Sequence, residues 1–279
     1  MSSVSVLLAT YNGSKFISQQ IDSLLSQSFT DFKMYIHDDD SSDETLCILK
    51  EYKDERIIIL KDGIKCGGAK ENFAHLLQFC IGKSDYYMFC DQDDVWLEDK
   101  IESTLAKMTE SEELFPHVPI LVHTDLKVVG SDLSVISDSM IRFQKIKVSN
   151  NYNIIKLSLE NTVTGCTVMM NHSLAEKLTD MPEEAIVHDW WAGLTALAYG
   201  GKVVYLDKAT ILYRQHERNT IGTQKTDIRY MFSKLKNLRD VFAQFRAAVR
   251  QQKRCGIRIP FVFNIILKTY LILRRVFSK

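Results

Sequence analysis

Tyr86-Tyr87-Met88-Phe89-Cys90-Asp91-Gln92-Asp93-Asp94 passes from an unbroken apolar run straight into a cluster of carboxylates. A short apolar run bounded by polar residues predicts a strand buried on both faces, as in a parallel sheet covered by helices. Ligands of such sheets bind beyond the carboxyl ends of the strands, which is where the three acids fall. Upstream the same rhythm recurs. Val4–Ala9, Lys33–Ile36 and Arg56–Leu60 read as strands. They alternate with a helix carrying Phe16, Ile17, Ile21, Leu24 and Leu25 (Ser14 as its cap), a short helix over Glu44–Tyr52, and one carrying Phe73, Leu76, Leu77 and Phe79 after a Gly-containing loop. This order predicts a mostly parallel α/β sheet with helices on both faces. A second acidic cluster, Asp38-Asp39-Asp40-Ser41-Ser42-Asp43, closes the second strand and meets Asp91–Asp94 at the same sheet edge.

Downstream of about residue 115 the rhythm changes. Ile120–Val129, Gly165–Met170, Val203–Leu206 and Thr210–Arg214 read as strands, and Asp189–Tyr199 as a helix opening near two tryptophans. Two helical patterns follow, roughly Asp227–Gln252 and Phe261–Phe277. The chain has 279 residues, 46% hydrophobic and 25% charged, with only four prolines and 12 glycines, which excludes collagen-like and low-complexity chains. Its formal charge of zero hides an asymmetry. Residues 225–279 hold 14 Lys and Arg against Asp227 and Asp240, a net +12, which leaves −12 on the first 224. Basic residues interleaved with Phe, Ile and Leu suit an anionic membrane surface; a helical pair packed on the body or in a homodimer is the other reading. Nucleic acid is disfavoured, because the tail is largely aliphatic and carries no nucleic-acid motif. No apolar stretch approaches the length of a membrane span. The first residues lack the pattern of a signal peptide. The six cysteines, without C-x-x-C spacing, read as buried or neutral free thiols. The expected setting is therefore reducing and cytoplasmic.

Chemically, the pair Asp91 and Asp93 can share a hard divalent cation completed by substrate phosphates. Solvated turn acids are the bland alternative. Asp39, with Asp38 beside it, can accept from a pyrimidine N–H, with Thr10, Tyr11 and Asn12 framing the base. A plain turn is the alternative there.

Ser-Val-Leu-Leu-Ala-Thr-Tyr-Asn-Gly at 5–13, Asp-Asp-x-Ser-Ser-Asp across 38–43 and Asp-Gln-Asp-Asp at 91–94 resemble family 2 glycosyltransferases of the GT-A fold, a Rossmann-like nucleotide-binding sheet. The resemblance covers about residues 3–220. His188-Asp189-Trp190-Trp191 and Thr210–His216 are similar to a bacterial rhamnosyltransferase-like subgroup that builds cell-surface polysaccharides. One departure is Asp40, where the family commonly has the more φ-tolerant Gly. The resemblance implies a catalytic domain over 1–222, with its nucleotide-sugar half at 1–115 and its acceptor half at 116–222, then a basic amphipathic tail at 223–279. It implies a nucleotide-diphosphate-sugar donor (dTDP-rhamnose or a UDP-sugar), a lipid-linked saccharide acceptor, Mg²⁺ or Mn²⁺, and inversion at the anomeric carbon. Asp39 matches the base-binding acid, Asp91 faces the sugar-nucleotide and Asp93 holds the metal. Asp189 matches the general base, with Trp190 and Trp191 able to line the acceptor sugar; an N-cap over two core tryptophans is its alternative. His216, in a strand-to-loop position, can complete the metal shell or touch the diphosphate, with Arg214 lending charge to the leaving group; a bland surface loop is the alternative. Gly165 can mark a backbone approach to the acceptor; a bulge or tight packing is the alternative. Two rivals remain at this level: a Mg²⁺-dependent phosphotransferase with Asp91 as nucleophile, and a non-catalytic membrane-surface binding module.

Overall fold

Strand alternation sets the layers. In β1 (Val4–Thr10), Val4, Val6 and Leu8 enter one core and Leu7 the opposite one; in β4 (Tyr86–Cys90), Tyr86, Met88 and Cys90 enter the first, Tyr87 and Phe89 the second. Successive strand residues face opposite sides, so both strands are buried twice over and need cover on both faces. The computed structural model, which describes residues 3–148, 152–216 and 238–277, supplies it. On the first face lie α1 (Ile17–Leu25), α2 (Thr45–Glu51), α4 (Lys100–Leu114) and the one-turn α5 (Met140–Phe143); on the second lie α3 (Ala69–Cys80), the one-turn α6 (Ile154–Leu157) and α7 (His172–Ala175), and α8 (His188–Ala198).

Besides β1 and β4, the sheet contains β2 (Phe32–Asp38), β3 (Ile57–Ile59), β5 (Val95–Trp96), β6 (Ile120–Val129), β8 (Val168–Asn171) and β9 (Lys202–Arg214), in the order β3-β2-β1-β4-β8-β6-β9-β5, with β7 (Val135–Ser137) pairing β6 off this path. The first four strands are parallel, as the alternation predicts. β8 is antiparallel to both β4 and β6, and β5 is antiparallel to β9. The sheet is therefore mixed rather than mostly parallel, because the second half lacks the regular βαβ crossovers that enforce parallel pairing.

Other departures are local. Gly165–Thr167 is a single 3-10 turn, and the strand begins only at Val168. The two strands expected over 203–214 are one, whose pairing with β6 shifts register at Asp125. α1 starts at Ile17, its first turn closed on the Gly13 carbonyl, and Ser14 is not its cap. Helix α4 and strands β5 and β7 have no counterpart in the predicted elements. The first part of the predicted helix over 227–252 lies outside the described residues, and α9 is seen over Leu238–Arg254, followed by α10 (Phe261–Phe277).

The tail does not hang free. Gln251 Oε1 accepts from Ile186 N at 2.8 Å, Gln252 bonds Ser158 and Asn264, Lys268 donates to the Leu159 carbonyl at 2.5 Å, and Arg275 reaches Gln144 and Glu160. The opposite face stays bare: Phe261, Val262, Phe263, Ile266 and Tyr270 are each at least half exposed. Among the described residues no helix is long and apolar enough to cross a membrane.

Candidate active site

Register brings the acids together. Thr10 lies opposite Asp38 in the β1–β2 pair, and Leu8 opposite Cys90 in the β1–β4 pair, so the 10–14, 38–45 and 91–94 segments leave the sheet side by side. They are then laced to one another. Gln92 forms a two-bond clasp with the Tyr11 backbone, accepting from its N–H and donating to its carbonyl, both at 2.9 Å. A side chain on Gly13 would collide with Gln92, its Cβ only 2.1 Å from Oε1, so that clasp needs glycine there. Asn12, in the left-handed region at φ 48°, donates from its N–H to Ser41 Oγ and accepts from Ser42 N.

Asp38 is spent on this lacing: its carboxylate accepts from Thr10 Oγ1 at 2.8 Å and from both Ser41 N and Oγ. Thr10 and Asp38 thus act through their neighbours instead of presenting free groups to a nucleotide. Asp39, 5% exposed, accepts from Cys66 N and Gly67 N of the β3–α3 loop. Tyr11 is 56% exposed, its ring open to stacking. Asp40 adopts φ 66°, the conformation for which glycine is the freer residue.

On the other side, β9 delivers Arg214 and His216 to the Asp91–Asp94 turn. Arg214 is 1% exposed. Its N–H donates to Asp94 Oδ1, Nε to the Asp93 carbonyl, Nη1 to the Ser131 carbonyl and Nη2 to Gln19 Oε1, over the Phe16 ring. The expectation that it touches the nucleotide is corrected: the guanidinium is enclosed by protein acceptors and clamps the acidic turn. His216 Nε2 lies 2.7 Å from Asp93 Oδ2. Asp91 is pushed up to about 7, first by burial and then by the charges of Asp93 and Asp189. Asp94, fully buried, is raised well above the carboxylate range by burial and by Asp93 and Asp91. At this turn one ligand atom each of Asp91, Asp94 and Cys166 falls within 4.8 Å of the others, and His216 sits on Asp93 beside them; hard carboxylate oxygens of this kind suit a divalent cation.

Asp189 opens α8 at the far wall. Its Oδ1 accepts from Trp190 N at 2.5 Å and from Asn161 Nδ2 at 3.2 Å; burial outweighs these bonds and pushes the carboxyl up to about 6. Gly165 lies against this helix start, where a Cβ would stand 2.6 Å from His188 Nε2. His188 is wedged between Phe73 and Phe89 and held neutral by burial, down to about 3. Trp190 is half-buried, its Nε1 donating to the Leu157 carbonyl. Trp191, 8% exposed, belongs to the second core cluster; it is corrected from an acceptor-lining ring to a core residue, since position 191 faces inward on α8. Gln92, Asn161 and Gln19 were not singled out in the sequence, and their bonds span 81, 28 and 195 residues.

The profile of Glycosyl transferase family 2 matches residues 5–178. The chain belongs to that family. Among relatives, the transferase is 29% identical over 226 residues to a dTDP-rhamnosyl transferase of Shigella flexneri, covering 77% of this chain and 73% of that one. It is 28% identical to a teichuronic acid biosynthesis glycosyltransferase described as putative in Bacillus subtilis, with 80% and 82% covered. A glucosyltransferase of Escherichia coli acting on GlcNAc-diphosphoundecaprenol is 32% identical over 130 residues, 47% of this chain and 51% of that one. Among solved structures, S. aureus TarS 1-349 in complex with UDP-GlcNAc aligns with TM-score 0.65 at 17% identity, covering 98% of this chain and 72% of that one. The Pyrobaculum calidifontis mannosyltransferase with GDP-Man and Mn²⁺ aligns with TM-score 0.63 at 16%, with 98% and 70% covered. The fold of the transferase is GT-A. Family and fold together dispose of the phosphotransferase reading.

Proposed function

We propose that this glycosyltransferase is an inverting, metal-dependent enzyme that moves a sugar, L-rhamnose from dTDP-rhamnose in the reading we favour, onto a lipid-linked saccharide during cell-surface polysaccharide synthesis. The observation that carries the chemistry is the nearness of Asp189, raised to about 6, to Asp91, whose carboxyl its charge helps push up, beside the Asp93–His216 pair. The rhamnosyl donor is supported by the Shigella relative and by the His188–Trp191 and Thr210–His216 segments; the lipid-linked acceptor is supported by the E. coli relative.

In this reading Asp39 accepts from the pyrimidine N–H, Tyr11 stacks on the base and Asn12 borders it. Asp93 and His216, with Asp91 beside them, would hold Mg²⁺ or Mn²⁺, which when bound would offset charge on the diphosphate leaving group. Asp189 takes the proton from the acceptor hydroxyl; that oxygen bonds to the anomeric carbon as the bond to the diphosphate breaks on the opposite face, which inverts the centre. A base near the working pH balances protonation state against driving force, which the burial of Asp189 provides. Asn161 and the Trp190 N–H hold one carboxylate oxygen and so orient the other. Gly165 keeps the acceptor wall close.

The domains divide as a catalytic unit over 1–222 and a tail over 223–279 whose bare face lies on an anionic membrane. Exposed Arg239, Arg246, Arg250 and Lys253 border the apolar face of α9 and α10, and near an anionic surface each Lys or Arg contributes about 1 kcal/mol. The tail docks on 158–160, next to Asn161 and hence to the acceptor wall. Membrane contact there would hold the cleft at the height of a lipid-linked acceptor, at the inner face of the cell membrane.

A thermal-shift panel of nucleotide-sugars with and without Mn²⁺ tests the donor, since a ligand of the folded state stabilises by mass action. The expected result is a Mn²⁺-dependent shift with dTDP-rhamnose larger than with UDP-sugars. A larger shift with a UDP-sugar replaces the donor, and none with any nucleotide-sugar removes the reading.

A further inference from the structure

On the outer flank of the base pocket, a second group of ligand-type side chains has no task in the reaction above. His37 ends the buried part of β2 just before Asp38, Asp62 sits in the β3–α3 loop and His75 is on α3. His37 Nε2 lies 3.5 Å from Asp62 Oδ1, and His75 Nε2 lies 2.8 Å from Asp62 Oδ2. The two rings meet edge to face, centroids 4.6 Å apart, and one ligand atom from each residue falls within 4.8 Å of the others.

The hydrogen bonds around His37 fix its tautomer. Asn72 Nδ2 donates to the His37 carbonyl at 3.2 Å, which turns Asn72 Oδ1 toward His37 Nδ1 at 2.8 Å. An amide oxygen only accepts, so Nδ1 carries the hydrogen. That leaves Nε2 as the ring nitrogen turned toward the Asp62 carboxylate, in a position where the His37 side chain is only 2% exposed and where it can serve as a ligand atom.

We propose that His37, Asp62 and His75 form a binding site for a zinc-type divalent metal, separate from the cleft that takes the donor. Two imidazoles and one carboxylate are a characteristic three-ligand set for this ion, with water in the fourth position. Bonds of about 2.0–2.1 Å in tetrahedral geometry place ligand atoms roughly 3.3–3.4 Å apart. The two nitrogens approach different oxygens of Asp62, His37 Nε2 at 3.5 Å from Oδ1 and His75 Nε2 at 2.8 Å from Oδ2, so a small turn of the carboxylate and a retreat of His75 by about half an ångström would set both around one ligating oxygen. The Asn72 amide is the outer partner that a ligating histidine ordinarily has on its other nitrogen. Asp62 and His75 keep 30% and 19% of their side chains exposed, an entry path for ion and water. The ion would join the end of β2, the β3–α3 loop and α3. Since Cys66 and Gly67 of that loop hold Asp39, the metal would brace the wall of the cleft without entering it. The site stands on its own geometry, whatever nucleotide-sugar the cleft takes.

The test uses the full-length chain stripped with a chelator, and Zn²⁺ alone as probe. Equilibrium dialysis compares wild type with Asp62→Asn, His75→Ala and Asp93→Asn. The expected result is one tightly held Zn²⁺ that survives Asp93→Asn. Asp62→Asn and His75→Ala should weaken it by more than the roughly 10–100-fold typical of losing an outer partner alone. Wild-type protein loaded with Co²⁺ gives a reading that needs no variant: a strong four-coordinate visible absorption is expected, displaced by Zn²⁺. Absence of tight zinc, or zinc lost with Asp93→Asn and kept in the other two variants, would overturn the proposal and leave the trio an ordinary hydrogen-bonded cluster. A weak six-coordinate Co²⁺ spectrum would count against it in the same way.

Discussion

Gly165→Ala adds one methyl group at the junction between the acceptor wall and the proposed base. The new Cβ would stand 2.6 Å from His188 Nε2, about 0.8 Å inside the 3.4 Å at which ordinary contact begins, while Asp189 Oδ2 at 3.5 Å is just clear of it. The imidazole has little room to yield, because its centroid lies 4.2 Å from that of Phe73 and 4.7 Å from that of Phe89. Residue 165 does not need a positive φ, so the penalty is steric alone. Overpacking of this kind costs about 1–3 kcal/mol. At about 2–4 °C per kcal/mol for a chain of this size class, Tm should fall by roughly 2–12 °C. The displaced ring carries the start of α8 with it, and a shift near 1 Å at a reacting group costs on the order of 10²-fold in rate. Steady-state kinetics with saturating donor, beside donor affinity by calorimetry, should show kcat reduced about 100-fold and donor binding unchanged. Gly193→Ala serves as control, since its Cβ would meet methyls of Leu157, Val163 and Val203 at 3.2, 3.5 and 4.0 Å, and kcat should stay within about twofold there. A Gly165→Ala enzyme with a lowered Tm but full kcat would refute the link between this contact and the base.

Asp189→Asn should leave donor binding intact and lower kcat by about 10²–10⁴-fold, the range for a lost general base; full turnover would move the base elsewhere. In the wild type, burial raises this carboxyl to about 6 and the working form is the carboxylate, so kcat should decline as pH falls through about 6, roughly tenfold per unit below it. A flat profile down to pH 5 contradicts the assignment. Asp93→Asn should keep the fold and lose Mn²⁺-dependent donor binding in calorimetry, because it removes the carboxylate facing His216; wild-type affinity would remove Asp93 from the metal site. Replacing exposed Phe263 and Ile266 by Ser should reduce sedimentation with anionic vesicles, more visibly at high salt where basic residues are screened. Unchanged sedimentation would refute membrane docking through this face, and a change of oligomeric state in its place would make the face a homodimer contact.

The strands that carry the site were readable because each is short, apolar and bounded by polar residues. Tyr86–Cys90 and Ile120–Val129 match their predicted limits, as does the helix Phe261–Phe277. α4 escaped because its charged sequence, from Lys100 to Leu114, places only Ile101, Thr104, Met108 and two others against the core, a faint stripe amid Glu and Lys. Gly165–Thr167 looked extended because its residues are small or β-branched, and the turn there is imposed by packing under α8 rather than by local preference. At the site, the acids announced themselves by position after strands. What each carboxylate does was settled by partners far along the chain: Asp38 by Thr10 and Ser41, Asp39 by Cys66 and Gly67, Arg214 by Gln19 and Ser131. Such pairings leave no periodic trace, so an arginine read as facing phosphate could turn out to hold backbone.

The clamp by Arg214 also orders events in time. The acidic turn at 91–94 is synthesised 120 residues before the guanidinium that fastens it, and β5, which follows that turn at once, pairs with β9 among the described residues. A nascent chain that has emerged through residue 200 therefore possesses every carboxylate of the site but lacks the guanidinium that fastens the Asp93–Asp94 turn. Contacts this distant in sequence form late and slowly. Competence to bind a charged donor should then arrive in one step, when β9 slides in beside β6, and chains cut short of it should hold no partial activity. The ribosome would release the protein's acids early and its chemistry last.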